Sequence, residues 1–262
     1  MAPAPFSKLF AQRKPAAAPG TAGRLVYAVG DVHGRLDLLQ PLVRDIAEDA
    51  VISAPAERPI LILLGDYVDR GPDSARVIDF ILDLEANDAF EIHPLKGNHE
   101  EALLQFLADP AFGPVWFEHG GGATLASYGV TPPMSRTDIG AWTEARDAFA
   151  EALPEEHLEF CQTLEMMVTV GDYAFVHAGV RPGVPLDRQT DKDLMWIRGD
   201  FLESRGAFDK VIVHGHTPTH APQIHAHRLG LDTGAYATGV LTAVRLDDSG
   251  RRVMQHQARR TA

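Results

Sequence analysis

The 262-residue chain carries 24 lysines and arginines against 36 aspartates and glutamates, a formal net charge of −12, with 45% hydrophobic and 23% charged residues. That balance argues against a disordered chain and a membrane-embedded one, and it disfavours nonspecific binding to a nucleic-acid backbone, which wants Lys and Arg. The single cysteine, Cys161, excludes an intrachain disulfide and points to a reducing cytoplasm.

Taken in chain order, residues 1–23 are rich in Ala and Pro and lack the apolar core and cleavage site of a secretory signal. They read as a flexible tail before a single domain spanning 24–262. Their stretch FSKLFAQRK also fits a short basic amphipathic anchor, but a plain tail is the expectation, with no stable membrane association. RLVYAVGDVHG (24–34) reads as a buried strand that ends in polar residues. LDLLQPLVRDIAED then places Leu38, Leu39, Leu42, Val43 and Ile46 at helical spacing. PILILLGDYVDRG (59–71) repeats the pattern of strand and polar cluster. DSARVIDFILDLEA follows as a helix on Val77, Ile78, Ile81 and Leu82, with Asp73 and Ser74 as caps. FEIHPLKGNHE (90–100) is the third such strand, and EEALLQFLA (100–108) opens a third helix.

This strand–helix alternation predicts an α/β fold. Residues 111–164 break it with Gly120, Gly121, Gly122, Pro132, Pro133 and Pro154 among short helical runs, and read as an insert capping one sheet edge. YAFVHAG (173–179), KVIVHGHTP (210–218) and LTAVRL (241–246) then read as consecutive strands with little room for helices, which predicts a mixed or second sheet.

Five of these strands end in glycine-flanked polar residues: Asp31 and His33; Asp66, Asp69 and Arg70; Asn98 and His99; His177; His214 and His216. Ligands of α/β sheets gather beyond the carboxyl ends of strands, so the five clusters are expected to converge. Aspartate, asparagine and histidine without thiolate suit Mn, Fe or Zn, and one carboxylate can bridge two ions about 3.5–4 Å apart. Cys161 is followed six residues later by Met167 rather than arginine, so a cysteine-phosphatase loop is absent and Cys161 is expected to pack in a helix.

The motifs GDVHG, GDYVDRG, GNHE, HAG and GHTP resemble those of the calcineurin-like metallophosphoesterase superfamily, over about residues 25–246. GDYVDRG and GNHE are more similar to its bacterial and phage serine/threonine protein phosphatase branch. Many phosphodiesterase members end in Gly-His-x-His, and Pro218 stands in that last place here. The resemblance implies two mixed β-sheets packed as a sandwich and flanked by helices, with the metal site at one rim and the small helical insert beside the substrate groove.

It also implies two divalent metal ions, manganese first, with iron or zinc as alternatives. Carried over by motif, Asp31 and His33 hold one ion, Asp66 bridges, and Asn98, His177 and His216 hold the other; His214, two residues before His216, is the ambiguity. His99, oriented by Asp69, is implied as the general acid for direct attack of a metal-bound hydroxide. Arg70 and Arg198 of LMWIRGDF, with Asn98, are implied as phosphate-binding residues. His119 reads as a loop histidine, His220, His225 and His227 as surface positions, and Trp116 and Trp196 as packing residues near the site. The expected activity is phosphomonoester hydrolysis by a protein serine/threonine phosphatase, acting as a monomer on a phosphoprotein or small phosphoester and not on nucleic acid. Hydrolysis of dinucleoside polyphosphates is the alternative, weakened by Asp69 where such enzymes usually carry asparagine; a degenerate binding module is the non-enzyme reading.

Overall fold

Strands β1 (Val26–Val29, VYAV) and β2 (Ile60–Leu63, ILIL) are buried at every residue, so each must be covered on both faces. The computed structural model, which describes residues 18–206 and 208–258, supplies both covers. β1 and β2 run parallel with β3 (Glu91–Pro94). The intervening connections are helices α1 (Leu36–Ser53) and α2 (Ser74–Glu85). β9 (Val240–Asp247) pairs antiparallel with β1, and β10 (Gly250–Gln257) closes the edge in the order β10-β9-β1-β2-β3.

The second sheet contains β4 (Met167–Val170), β5 (Tyr173–Val176), β6 (Val211–His214), β7 (Gln223–Ile224) and β8 (Arg228–Gly230). Its order is β4-β5-β6-β8-β7, with β5, β6 and β8 parallel.

Alternation of side chains divides the core into layers. Val26, Ala28, Ile60 and Ile62 face Tyr173, Phe175, Val213 and Leu229 between the sheets. Their neighbours Tyr27, Val29, Leu61 and Leu63 turn outward, against Leu39, Leu42 and Ile46 of α1 and Val77, Ile78 and Ile81 of α2. On the far side, Ala174, Val176 and Ile212 are covered by Leu194, Ile197 and Phe201. These residues belong to or adjoin α8 (Asp191–Trp196) and α9 (Gly199–Leu202). The expected sandwich is thus present, but helices do interrupt the late strands, contrary to the sequence reading; six and four residues are too few to show a helical period.

The third helix, α3 (Asn98–Ala108), leads into the insert. There α4 (Gly113–Glu118), α5 (Gly121–Ser127), α6 (Ile139–Ala152) and α7 (Glu155–Thr163) gather on an aromatic cluster. Phe106 of α3 lies 4.9 Å from Trp116 and 6.1 Å from Trp142, centroid to centroid. Cys161 is buried in α7 as expected, and burial pushes its thiol up, which makes it unreactive.

The stretch FSKLFAQRK lies outside the described residues. The end of the expected tail is held: Gly20 N–H donates to Asp172 Oδ2 at 2.9 Å, and the N–H of the fully buried Thr21 donates to Asp248 Oδ1 at 2.7 Å. The ordered fold therefore starts before residue 24. No helix among the described residues is long and apolar enough to cross a membrane.

Candidate metal centre and active site

The parallel strands deliver their polar clusters to one rim. β1 leads to Asp31 and His33, β2 to Asp66, β3 to Asn98 and His99, β5 to His177, and β6 to His214 and His216, all 6% exposed or less. One ligand atom each from His33, Asp66 and His99 lies within 4.8 Å of the others, and the same holds for Asp66, His177 and His216. Asp66 belongs to both groups. Its Oδ2 is 3.5 Å from His33 Nε2 and 3.9 Å from His99 Nε2, while Oδ1 is 3.4 Å from His177 Nε2.

Asn98 joins the second group, its Oδ1 3.0 Å from His177 Nε2. Asp31 borders the site: its two carboxylate oxygens accept the His216 N–H at 3.1 and 3.0 Å. His99 lies with His33 and Asp66 in the first group, and Asp31, expected there as a ligand, adjoins it through the backbone N–H of His216. His214 enters neither group. Its Nδ1 is 3.1 Å from Gly215 O and its ring meets Phe201 edge-on at 5.0 Å.

The donor set fits divalent cations. His33 Nδ1 donates to Val68 O at 2.9 Å and His177 Nδ1 to Leu64 O at 2.7 Å, because a carbonyl can only accept. Both Nε2 lone pairs are thereby turned toward Asp66, the arrangement by which backbone carbonyls orient metal-binding imidazoles. Burial lowers His33 to about 3, His216 to about 2 and His177 below its ordinary value, so these rings are neutral. Burial opposes ionisation of Asp66, but the ring of His177 and the protonated His99 beside it hold its carboxyl far below the usual range. Burial, Asp232 and Asp66 raise Asp31 well above it. Three carboxylates crowded in a dry rim with inward lone pairs are what bound cations would neutralise.

The backbone at this rim is strained. Of seven non-glycine residues with positive φ among the described residues, five are His33, Asp66, Asp69, Arg70 and His216. Each such conformation costs on the order of 1–3 kcal/mol and persists where surrounding structure enforces it. Gly65, at φ +100°, has no room for a side chain: a Cβ there would lie 2.8 Å from His177 Nδ1.

Much of the enforcement comes from residues to which sequence reasoning assigned no role. The fully buried Glu100 accepts four backbone N–H bonds, from Asp66 at 3.0 Å, Tyr67 at 2.7 Å, Val68 at 3.2 Å and Gly97 at 3.0 Å. Burial and the adjacent Asp66 raise its carboxyl to about 7. Asp69 is clamped by the insert. Thr124 Oγ1 donates to its Oδ1 at 2.6 Å, and Trp116 Nε1 donates to Oδ2 at 2.9 Å. Trp116 therefore does more than pack. Asp69 Oδ2 in turn lies 2.6 Å from His99 Nδ1, fixing that ring with Nε2 toward Asp66.

Burial works against protonation of His99, but Asp66 and the hydrogen-bonded Asp69 raise it to about 9. Thr124→Val removes the bond to Oδ1 and the one Thr124 accepts from the Asp69 N–H at 2.9 Å. It is expected to cost about 1–3 kcal/mol in urea titration and to lower kcat on an alkyl phosphate about tenfold. An unchanged kcat would show that the remaining contacts suffice to hold Asp69.

One arginine attends each group. Arg70 Nη2 is 3.2 Å from His99 Nε2, and its guanidinium lies 4.5 Å from the centre of the Tyr236 ring. Tyr236 belongs to α10 (Ala235–Thr238). Arg198 Nε donates to His216 Nε2 at 2.9 Å. The insert meets the site at Arg70, whose N–H donates to Gly120 O at 3.2 Å, whereas the His119 side chain is exposed. His220 and His225 are exposed as expected, and His227 is half-buried. Asp232, after β8, is a sixth strand-end group. Its sequence signal is the one seen at Asp31 and Asp66: an apolar strand, then an acid, with glycine nearby.

A family model described as calcineurin-like phosphoesterase matches residues 25–241. The chain is 27% identical over 237 residues to the asymmetrical bis(5'-nucleosyl)-tetraphosphatase PrpE of Geobacillus thermodenitrificans, covering 83% of this chain and 88% of that one. Its fold is similar to the crystal structure of a protein provisionally assigned as a diadenosine tetraphosphatase, at a TM-score of 0.62 and 18% identity, over 94% of this chain and 98% of that chain. It is also similar to the cold-active protein-tyrosine phosphatase of a psychrophilic Shewanella species, at a TM-score of 0.52 and 18% identity, over 88% and 80% of the two chains. The sandwich, the convergence of strand ends and the matched span agree, and the chain belongs to the calcineurin-like phosphoesterase family.

Proposed function

We propose that the chain hydrolyses bis(5'-nucleosyl) polyphosphates at a dinuclear metal centre held by Asp31, His33, Asp66, Asn98, His177 and His216. The observation that carries the reaction type is the sharing of Asp66 between two buried ligand groups, each attended by an arginine. The substrate class rests on the relatives' activity. When bound, the ions polarise the phosphoryl group and offset the charge that builds on it. Arg70 and Arg198 hold phosphate oxygens, to which the planar guanidinium is matched. Asn98 assists them from the second group. Asp69 fixes His99 so that Nε2 faces the leaving oxygen and delivers a proton to it. Manganese is the first metal to supply, and the lone cysteine is consistent with a reducing cytoplasm.

A second reading, dephosphorylation of phosphoserine or phosphothreonine, is favoured by one observation. The Asp69–His99 pair is built to supply a proton, and an alkoxide leaving group needs one far more than a nucleotide does. Assay of the manganese-loaded protein on diadenosine tetraphosphate and on a phosphopeptide separates the two. The expected result is a kcat/KM at least about tenfold higher on the dinucleotide, equivalent to about 1.4 kcal/mol. The reverse ratio would transfer the assignment to the phosphoprotein.

A further inference from the structure

Next to Arg198 the rim opens into a cleft of about 290 Å³ lined by Arg181, Lys192, Asp193, Trp196, Arg198 and Asp200, among others. Trp196 is 44% exposed, whereas Trp116 and Trp142 are fully buried. A large aromatic left open beside a buried polar centre is not explained by packing. Its indole is also fixed: Nε1 donates to Glu101 Oε2 at 2.9 Å, and the ring meets His216 edge-on, with centroids 6.2 Å apart. The indole thus stands directly beside a member of the second ligand group.

The charges of the cleft have distinct states. The Arg181 guanidinium is occupied by Asp193 at 2.5 Å and Asp200 at 3.1 Å. Lys192 has no ion-pair partner within reach among the described residues, and Arg198 reaches between the cleft and the metal centre.

We infer that Trp196 is the base-stacking residue of a nucleoside subsite. A nucleotide whose 5'-phosphate lies at the metal centre against Arg198 places its base on the indole. The inference rests on the nucleotide reading above and makes it more specific. With the base so close to the centre, the phosphate attacked is the one carried by that nucleoside. Water adds to that phosphorus and the bond to the bridging oxygen breaks. The products from a tetraphosphate are then a nucleoside monophosphate and a nucleoside triphosphate.

The test uses the manganese-loaded full chain and two probes that share a sugar phosphate, AMP and ribose 5-phosphate. AMP is expected to quench tryptophan emission saturably, and ribose 5-phosphate to leave it unchanged; Trp196 is the exposed indole that the base can reach. As inhibitors of p-nitrophenyl phosphate hydrolysis, AMP should bind about tenfold more tightly than ribose 5-phosphate, or about 1.4 kcal/mol, within the range of base–aromatic stacking. The ratio should fall to about one in Trp196→Ala and be largely kept in Trp196→Phe. Because it is taken within each protein, it cancels general damage to the centre.

Equal constants for the two probes in the wild type, or a ratio unchanged in Trp196→Ala, would overturn the subsite. A chain that hydrolyses phosphopeptides and not the dinucleotide, yet prefers AMP through Trp196, would sink the substrate reading and leave the subsite standing.

Discussion

Asp66→Asn is expected to cut metal content and to lower kcat about 1,000-fold or more. The side chain is the one member common to both ligand groups, and it faces His33, His99 and His177 at 3.5, 3.9 and 3.4 Å. Metal ions contribute several kcal/mol of transition-state stabilisation, and each 1.36 kcal/mol is tenfold in rate. Asparagine keeps the shape and can still present an oxygen to the His99 N–H, which donates to Asp66 Oδ1 at 3.1 Å. What it loses is the negative charge that two cations would share. Its Nδ2 also brings donors to a place built from acceptors. The measurement pairs metal equivalents per chain after reconstitution with steady-state turnover of p-nitrophenyl phosphate. Circular dichroism should show the fold intact. A variant that retained two equivalents and more than a tenth of the activity would remove Asp66 from the bridging role and, with it, the dinuclear reading of the rim.

The parts of this fold that could be read from sequence are those covered on both sides. VYAV and ILIL are continuous apolar runs because a sheet and a layer of helices enclose them, and a run of that kind cannot be a surface strand. The edge strands gave no such signal. β10, GRRVMQHQ, mixes charge and apolar residues along its whole length, as an edge must if it is not to pair with another chain. β4, MVTV, is only half covered and follows the insert without a clear turn.

The site divides in the same way. Histidines and acids at strand ends announce themselves by type. The residues that hold them do not: Thr124 and Trp116 reach Asp69 from 55 and 47 positions away, and nothing in GGATLAS or GPVWFE names that destination. Tyr236 looks like an ordinary aromatic in GAYAT until its ring is found over Arg70. His99 and Asp31 show the opposite limit. Motif order assigns them to acid and ligand, a division that proximity alone does not make: His99 lies with His33 and Asp66, and Asp31 meets the site at the His216 N–H.

Glu100→Gln should be among the most damaging near-isosteric changes in the molecule, although Glu100 belongs to neither ligand group. Its carboxylate gathers the N–H groups of Asp66, Gly97, Tyr67 and Val68. It thereby pins the turn in which Asp66 sits at φ +52° to the start of α3, which presents Asn98 and His99. A glutamine can accept with one end only. Whichever way the amide lies, its NH₂ faces two backbone donors, and both are left buried without an acceptor. Each unsatisfied group costs about 1–3 kcal/mol, so the expected loss is about 2–6 kcal/mol, seen as a lower urea midpoint with unchanged slope. For a chain of this size that is on the order of 10 °C in Tm. Metal affinity should fall with it, by about 10–100-fold, the range for residues that orient ligands without touching the ion. Glu100→Ala provides the comparison. It removes the acceptor of all four N–H groups, so acceptor loss alone makes alanine about twice as costly as glutamine, and a packing role would make it worse still. If glutamine stayed within about 0.5 kcal/mol of wild type, the level of an ordinary surface change, the strained Asp66 turn would have to be held by the strands and the insert alone.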